Sequence, residues 1–163
     1  LELRKGMLVA DLGAGAGAYT VAAAKEVGDS GRVYAVEVQK ELLSGIKNLA
    51  QKEGVTNIEV IWGDVERIGK TKIKDGIIDA VIISNTLFQV EDKIGLLNET
   101  RRILKRGGLI LVVDWVDSFE GMGPEKENII SHEEAKKLFE ENNFSFIKNI
   151  AAGDHHWGFV VEK

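Results

Sequence analysis

The chain has 163 residues, of which 44% are hydrophobic and 29% charged, and its formal net charge is −5. A chain of this length builds one hydrophobic core, and none of its apolar runs reaches the ~20 residues a membrane helix needs. The acidic balance disfavours an electrostatic grip on nucleic acid, and the absence of cysteine excludes disulfides and thiolate metal sites.

Strands and helices are expected to alternate, which argues for a parallel sheet covered on both faces. Met7 to Leu12 is a short apolar run ending at glycines, as a buried strand should, and a helix is predicted through Ala18 to Val27. A second strand reads Arg32 to Val38, followed by a segment that places Leu42, Ile46, Leu49 and Ala50 on one helical face. Ile58 to Trp62 is a third strand, and Ile77 to Ser84, β-branched and largely apolar, reads as a central one. Ile94, Leu97, Arg101 and Leu104 fall at helical spacing, with Gly107 and Gly108 expected to end that helix in a left-handed cap. The basic cluster Arg101, Arg102, Lys105 and Arg106 is read as its solvated last turn.

Leu109 to Trp115 is the fifth strand. Ser131 and Glu134 predict a capping box at the start of a helix carrying Ala135, Leu138 and Phe139, with His132 solvated beside it. Phe144 to Ile150 and Trp157 to Val161 are two strands whose connection is too short for a crossover helix, so they pair antiparallel.

The segment Val9-Ala10-Asp11-Leu12-Gly13-Ala14-Gly15-Ala16-Gly17 joins the first strand to the first helix. Its glycines open backbone angles closed to other residues and let a ligand approach the main chain, while the helix start offers unpaired amides to an anionic group. Gly13, Gly15 and Ala18 also satisfy the G-x-G-x-x-A dinucleotide fingerprint. Asp11 argues against that reading, because a carboxylate there suits a cationic amino group and would repel a pyrophosphate. Glu37, ending the second strand, can accept both hydroxyls of a ribose. Asp64 after the third strand can accept a hydrogen bond from an adenine amino group, with Val38 and Val65 flanking the ring, although a turn aspartate reads the same way.

Together these residues resemble the class I, Rossmann-like, S-adenosylmethionine-dependent methyltransferases, and the match covers nearly the whole chain, most closely the small single-domain prokaryotic members. Val9 to Gly17 is similar to the family's first motif, Val33 to Val38 to the second and Trp62 to Val65 to the third. Asp79 to Val90 resembles the fourth-strand motif. Leu104-Lys105-Arg106-Gly107-Gly108 resembles the L-K-P-G-G turn, with Arg106 in place of the proline.

The resemblance implies an α/β fold, a doubly wound and mostly parallel seven-stranded sheet of order 3-2-1-4-5-7-6 with strand 7 antiparallel. It assigns S-adenosylmethionine, leaving as S-adenosylhomocysteine, to Asp11, Gly13, Ala14, Gly15, Gly17, Glu37, Val38, Asp64, Val65 and Asn85. Methyl transfer needs positioning more than a chemical group from the protein, so no catalytic residue and no metal is assigned. The side chains expected to face the acceptor are Phe88 and Gln89 after the fourth strand, Asp114 and Trp115 after the fifth, and His155 and His156 in the tail. Phe88 and Trp115 fit a core role equally, and the histidines a polar turn.

The acceptor is expected to be a small molecule, with no nucleic-acid or membrane partner, and the oligomeric state is left open. Two alternatives stand beside this reading: an NAD(P)-dependent oxidoreductase fragment, and a non-catalytic S-adenosylmethionine-binding module. The chain opens on Leu1 rather than methionine, so a preceding segment is expected. With no signal peptide in view, the cytoplasm is the expected compartment.

Overall fold

In the computed structural model, which describes residues 1–119 and 121–163, the short β-branched and alanine-rich runs become strands. They are β1 (Leu8–Leu12), β2 (Arg32–Glu37), β3 (Ile58–Trp62), β4 (Ile78–Ser84), β5 (Leu104–Trp115), β6 (Ser145–Ala151) and β7 (His156–Glu162). The segments with helical apolar spacing form α1 (Ala18–Val27), α2 (Lys40–Lys52), α3 (Lys93–Ile103) and α4 (His132–Glu141). The sheet order is β3-β2-β1-β4-β5-β7-β6. The first five strands run parallel, while β7 pairs antiparallel with both β5 and β6.

Alternation along each strand divides the core between the two faces. Leu12, Val36 and Ile83 pack with Leu97 of α3 and Phe139 of α4, whereas Val9, Val33 and Ile82 pack with Ala24 and Val27 of α1. A central sheet covered in this way leaves its carboxyl-terminal rim as the open edge where loops gather. Among the described residues, no helix is long and apolar enough to cross a membrane.

The α4 start is the predicted capping box: Glu134 N–H donates to Ser131 Oγ at 3.2 Å, and Ser131 N–H donates to Glu134 Oε2 at 2.9 Å. Three local expectations are corrected. Helix α3 stops at Ile103, because Leu104 is already extended and pairs with Ile78; Gly107, at φ 73°, turns within β5 instead of capping the helix.

The basic cluster is solvated only in part, with Lys105 and Arg106 exposed and Arg101 and Arg102 drawn into the fold. Arg102 is held by Glu99 at 2.7 Å and Asp75 at 2.5 Å, Arg101 donates to the carbonyls of Asn142 and Asn143, and Lys105 pairs with Asp79 at 2.5 Å. His132 is not solvated either. It lies edge-on to Trp157 and Phe159 and 2.8 Å from Asn149 Oδ1. A short 3-10 turn over Lys126–Asn128, unmarked by periodicity, lies between β5 and α4.

Candidate functional site

At the carboxyl ends of β1, β2 and β4, two adjoining hollows share Gly13, Glu37, Gln39 and Gln89 and form one cleft. Their volumes are about 180 and about 250 Å³, and taken as one cleft they come within the usual size of small-molecule sites. One lobe lies over the glycine loop and reaches Asp11, Tyr19 and Asn85, and the other reaches Val38, Asp64 and Val65.

Each part of the cleft has a local cause. The glycine loop turns through left-handed angles at Gly13, Gly15 and Gly17, with φ of 81°, 52° and 87°. Such angles strain any residue with a β-carbon. Gly17 is the N-cap of α1 and supplies no side-chain cap, and the first helical turn carries no acidic residue of its own.

Asp11 closes the floor of this lobe. It is buried and receives the Thr20 hydroxyl on Oδ2 at 2.5 Å. Burial pushes its pKa up to about 6, opposed by the Thr20 hydrogen bonds and reinforced by the nearby Glu37 charge.

Glu37 ties the lobes together. Its Oε2 accepts Gly15 N–H and its Oε1 accepts Gln39 N–H, both at 2.9 Å. Each oxygen keeps a further lone pair, so a carboxylate already oriented by two amides can still accept two hydroxyls. Asp64 is arranged similarly on a smaller scale, accepting Glu66 N–H at 2.9 Å and Arg67 Nε–H at 3.2 Å. Val38, 58% exposed, offers a bare apolar surface beside it. Trp62 stands just outside this lobe, its indole N–H donating to the Val38 carbonyl at 3.0 Å and its ring covered by Lys40 at 4.0 Å.

Asn85 forms the wall after β4. It holds a left-handed φ of 52°, and its amide donates to the Val113 carbonyl at 2.9 Å. Its Oδ1 is buried with no partner, which leaves an unmet acceptor at the cleft.

The cleft therefore brings together Asp11, Gly13, Ala14, Gly15, Gly17, Glu37, Val38, Asp64, Val65, Asn85 and Gln89. The remaining expected residues lie elsewhere. Phe88 is half-buried outside both lobes. Asp114 is fully buried and does not face an acceptor: its carboxylate accepts Leu87 N–H at 2.9 Å and Trp115 N–H at 2.8 Å, and burial raises its pKa. Trp115, His155 and His156 stand farther along the rim. Among the described residues, no group of three or more acidic or histidine side chains is arranged to hold a metal.

Three contributors escaped the sequence reading. Thr86, buried, donates its hydroxyl to the Leu12 and Ser84 carbonyls at 3.2 and 3.0 Å and fills the space beside Gly13. Thr20 reaches Asp11 from the first turn of α1. Gln39 lines both lobes; its place two residues after Glu37 was the only available signal.

Comparison with known proteins agrees with this geometry. A family described as "Methyltransferase domain" matches residues 3–158. The chain is 32% identical over 114 residues to the ubiquinone/menaquinone biosynthesis C-methyltransferase UbiE of Enterobacter sp. (strain 638), covering 69% of this chain and 44% of that protein. It is 31% identical over 113 residues to the arsenite methyltransferase of Halobacterium salinarum, covering 69% of this chain and 28% of that protein. It thus spans less than half the length of these two relatives.

The crystal structure of a SAM-dependent methyltransferase from Aquifex aeolicus superposes with a TM-score of 0.88 at 27% identity, over 98% of this chain and 84% of that one. On the sheet order, the glycine-loop cleft and these matches, the chain belongs to the class I S-adenosylmethionine-dependent methyltransferase family.

Proposed function

We propose that the cleft binds S-adenosylmethionine and that the domain transfers its methyl group to a small-molecule acceptor at the rim beside Asn85. The observation that carries this reading is the Glu37 carboxylate, held by Gly15 and Gln39 amides and still able to accept a ribose diol between the two lobes. Asp11 supplies buried negative charge for an ammonium group, and Asn85 lines the same lobe. Val38 and Val65 offer apolar faces to a flat base near Asp64. These residues fit an adenosyl amino acid from end to end.

When bound, that cofactor brings a methyl carbon activated by a positive sulfur. The chain's part is to position it and exclude water. Gly15, open on its cleft side, permits close approach along the loop. The Asp114 carboxylate accepts Leu87 N–H and so fixes the turn after β4 that lies between Asn85 and Gln89. A small-molecule acceptor is supported by the two relatives, whose names specify quinone biosynthesis and arsenite. The formal net charge of −5 supports a small molecule over nucleic acid.

Titration calorimetry with S-adenosylmethionine, S-adenosylhomocysteine and NAD tests the reading. The first two are expected to bind, and Glu37→Ala to weaken both by about a hundredfold through two lost charge-assisted hydrogen bonds. Binding of NAD alone, or full affinity in Glu37→Ala, would overturn it.

A further inference from the structure

A separate hollow of about 380 Å³ opens at the β3 edge of the sheet, lined by Val38, Trp62, Gly63, Asp64, Lys70 and Lys72. It is larger than either lobe of the cleft, and of its lining only Val38, Gly63 and Asp64 also face the cleft. Trp62, Lys70 and Lys72 belong to the hollow alone.

The segment after β3 shapes this space. A β-carbon on Gly63 would lie 2.5 Å from the Lys70 carbonyl oxygen, so the returning chain passes directly against the strand end. Thr71, fully buried, fixes that pass: its N–H and its hydroxyl both donate to the Glu99 carboxylate, at 3.3 and 2.5 Å. Lys70 and Lys72, on either side of Thr71, are left exposed. Lys72 holds a left-handed φ of 61°, and its Nζ donates to the Trp62 carbonyl at 3.0 Å. The backbone that carries both lysines is therefore placed by a carboxylate in the core.

One wall is aromatic. The Trp62 ring is pinned by its indole hydrogen bond to the Val38 carbonyl. Lys40 covers the ring at 4.0 Å but lines no part of the hollow, whereas Lys72 stands 5.8 Å from the ring centroid and does line it. A fixed indole beside an exposed valine makes an apolar surface suited to a flat ring.

The charge is unusual for this chain. Among the described residues, Lys40, Lys70 and Lys72 form no ion pair, although the formal net charge is −5. Unpaired cations grouped around a concave surface attract anions. Asp64, the one carboxylate in the lining, is paired with Arg67. Two ammonium groups against one carboxylate leave the lining with a net positive charge of one, which suits a monoanion better than a phosphate dianion.

We propose that this hollow is a second ligand site, taking a small flat aromatic carboxylate whose ring lies against Trp62 and Val38 and whose anionic group meets Lys70 and Lys72. The site adjoins the cleft through Val38, Gly63 and Asp64, and it stands whether or not the cleft holds S-adenosylmethionine.

Nitrogen–proton spectra of the full chain, titrated with 2-naphthoate, test the proposal. The sequence has three tryptophans, and Trp62→Phe identifies the Trp62 indole signal. That signal and the Lys72 amide are expected to move and saturate, while the Gly15 amide of the glycine loop stays in place. The uncharged 2-naphthylmethanol should bind the wild type at least about tenfold more weakly, since it offers no anionic group to the lysines.

A double variant, Lys70→Gln with Lys72→Asn, removes both charges, and asparagine tolerates the left-handed angle. It is expected to weaken 2-naphthoate by about a hundredfold through two lost charge-assisted contacts, with S-adenosylhomocysteine affinity unchanged. A Trp62 signal that does not move, shifts gathered at Gly15 instead, or equal wild-type affinity for the charged and uncharged probes overturns the proposal. The last comparison needs no variant to fold. Failure of S-adenosylhomocysteine to bind the wild type overturns the cofactor reading alone.

Discussion

Thr86 stands where a β-carbon on Gly13 would have to go: such an atom would lie 2.5 Å from the Thr86 hydroxyl oxygen and 2.9 Å from its methyl carbon. Thr86 cannot swing aside freely, since its hydroxyl bridges the Leu12 and Ser84 carbonyls. Gly13→Ala is therefore expected to lose more than the about 1–2 kcal/mol that a left-handed angle alone costs an alanine. Gly15→Ala meets nothing within 4 Å and should lose only that backbone cost. Denaturant unfolding of the two variants checks the order, and equal losses would remove Thr86 from the account.

Asp11 and Glu99 should respond to pH in opposite senses. Asp11 has its folded pKa raised from 3.8 to about 6, so the folded state holds the proton more tightly. Its contribution is full below pH 3.8 and is lost as pH rises through 6, roughly 3 kcal/mol in all. The unliganded protein is then expected to gain stability at pH 7 on Asp11→Asn, with little change at pH 4. Thermal melts across that range test it. A difference that does not vary with pH would contradict the buried charge.

For cofactor binding the sign reverses. The ionised form of Asp11 is the one that attracts an ammonium group, so S-adenosylmethionine affinity should fall by up to about tenfold per pH unit below 6. Calorimetry at pH 5 and pH 7 reads this directly, with Asp11→Asn as the pH-insensitive reference.

Glu99 is fully buried on α3 and collects Gly69 N–H at 2.7 Å, Thr71 Oγ–H at 2.5 Å and the Arg102 guanidinium. Burial alone would raise its pKa, but these donors together with the Arg102 charge hold it below the ordinary 4.5. Its contribution is present above pH 4.5 and lost as pH falls through the lowered value. Glu99→Ala leaves Arg102 short of a partner and should cost about 3 kcal/mol or more. Because Glu99 anchors the segment after Asp64, S-adenosylhomocysteine affinity should fall as well. Unfolding and binding measured on the same variant would expose a purely local role.

Asp114→Asn keeps the shape of a fully buried side chain but turns an amide donor toward amides that also donate. A loss of about 1–3 kcal/mol is expected from the unmatched polar groups, together with weaker cofactor binding as Asn85 shifts. Unchanged affinity would separate this carboxylate from the cleft.

How much of this could be read beforehand follows the range of each interaction. The alternating apolar runs marked the strands, and Ser131 with Glu134 marked the start of α4, because period and cap are set within a few residues. The three glycines and Glu37 were legible for the same reason, each ending a strand or opening a turn. Asp114 was misjudged because it ends a strand at the rim, like Glu37, yet its side chain turns inward onto the loop after β4. Thr86 meets Leu12 across 74 residues, and His155 meets Asp117 across 38; neither pair leaves a local pattern. The helix end at Ile103 was misplaced because glycines usually signal a cap, whereas here Leu104 was drawn earlier into pairing with Ile78.

The position of Trp62 gives the molecule an optical reporter of its own. Its indole is 49% exposed, capped by Lys40, and bonded to the carbonyl of Val38 beside Asp64. Any ligand that settles near Val38 changes the polarity and the cation around this ring, so intrinsic fluorescence should follow occupancy without a label. The other two tryptophans, Trp115 and Trp157, lie on β5 and β7, so Trp62→Phe subtracts the signal from the Asp64 end of the cleft and leaves theirs.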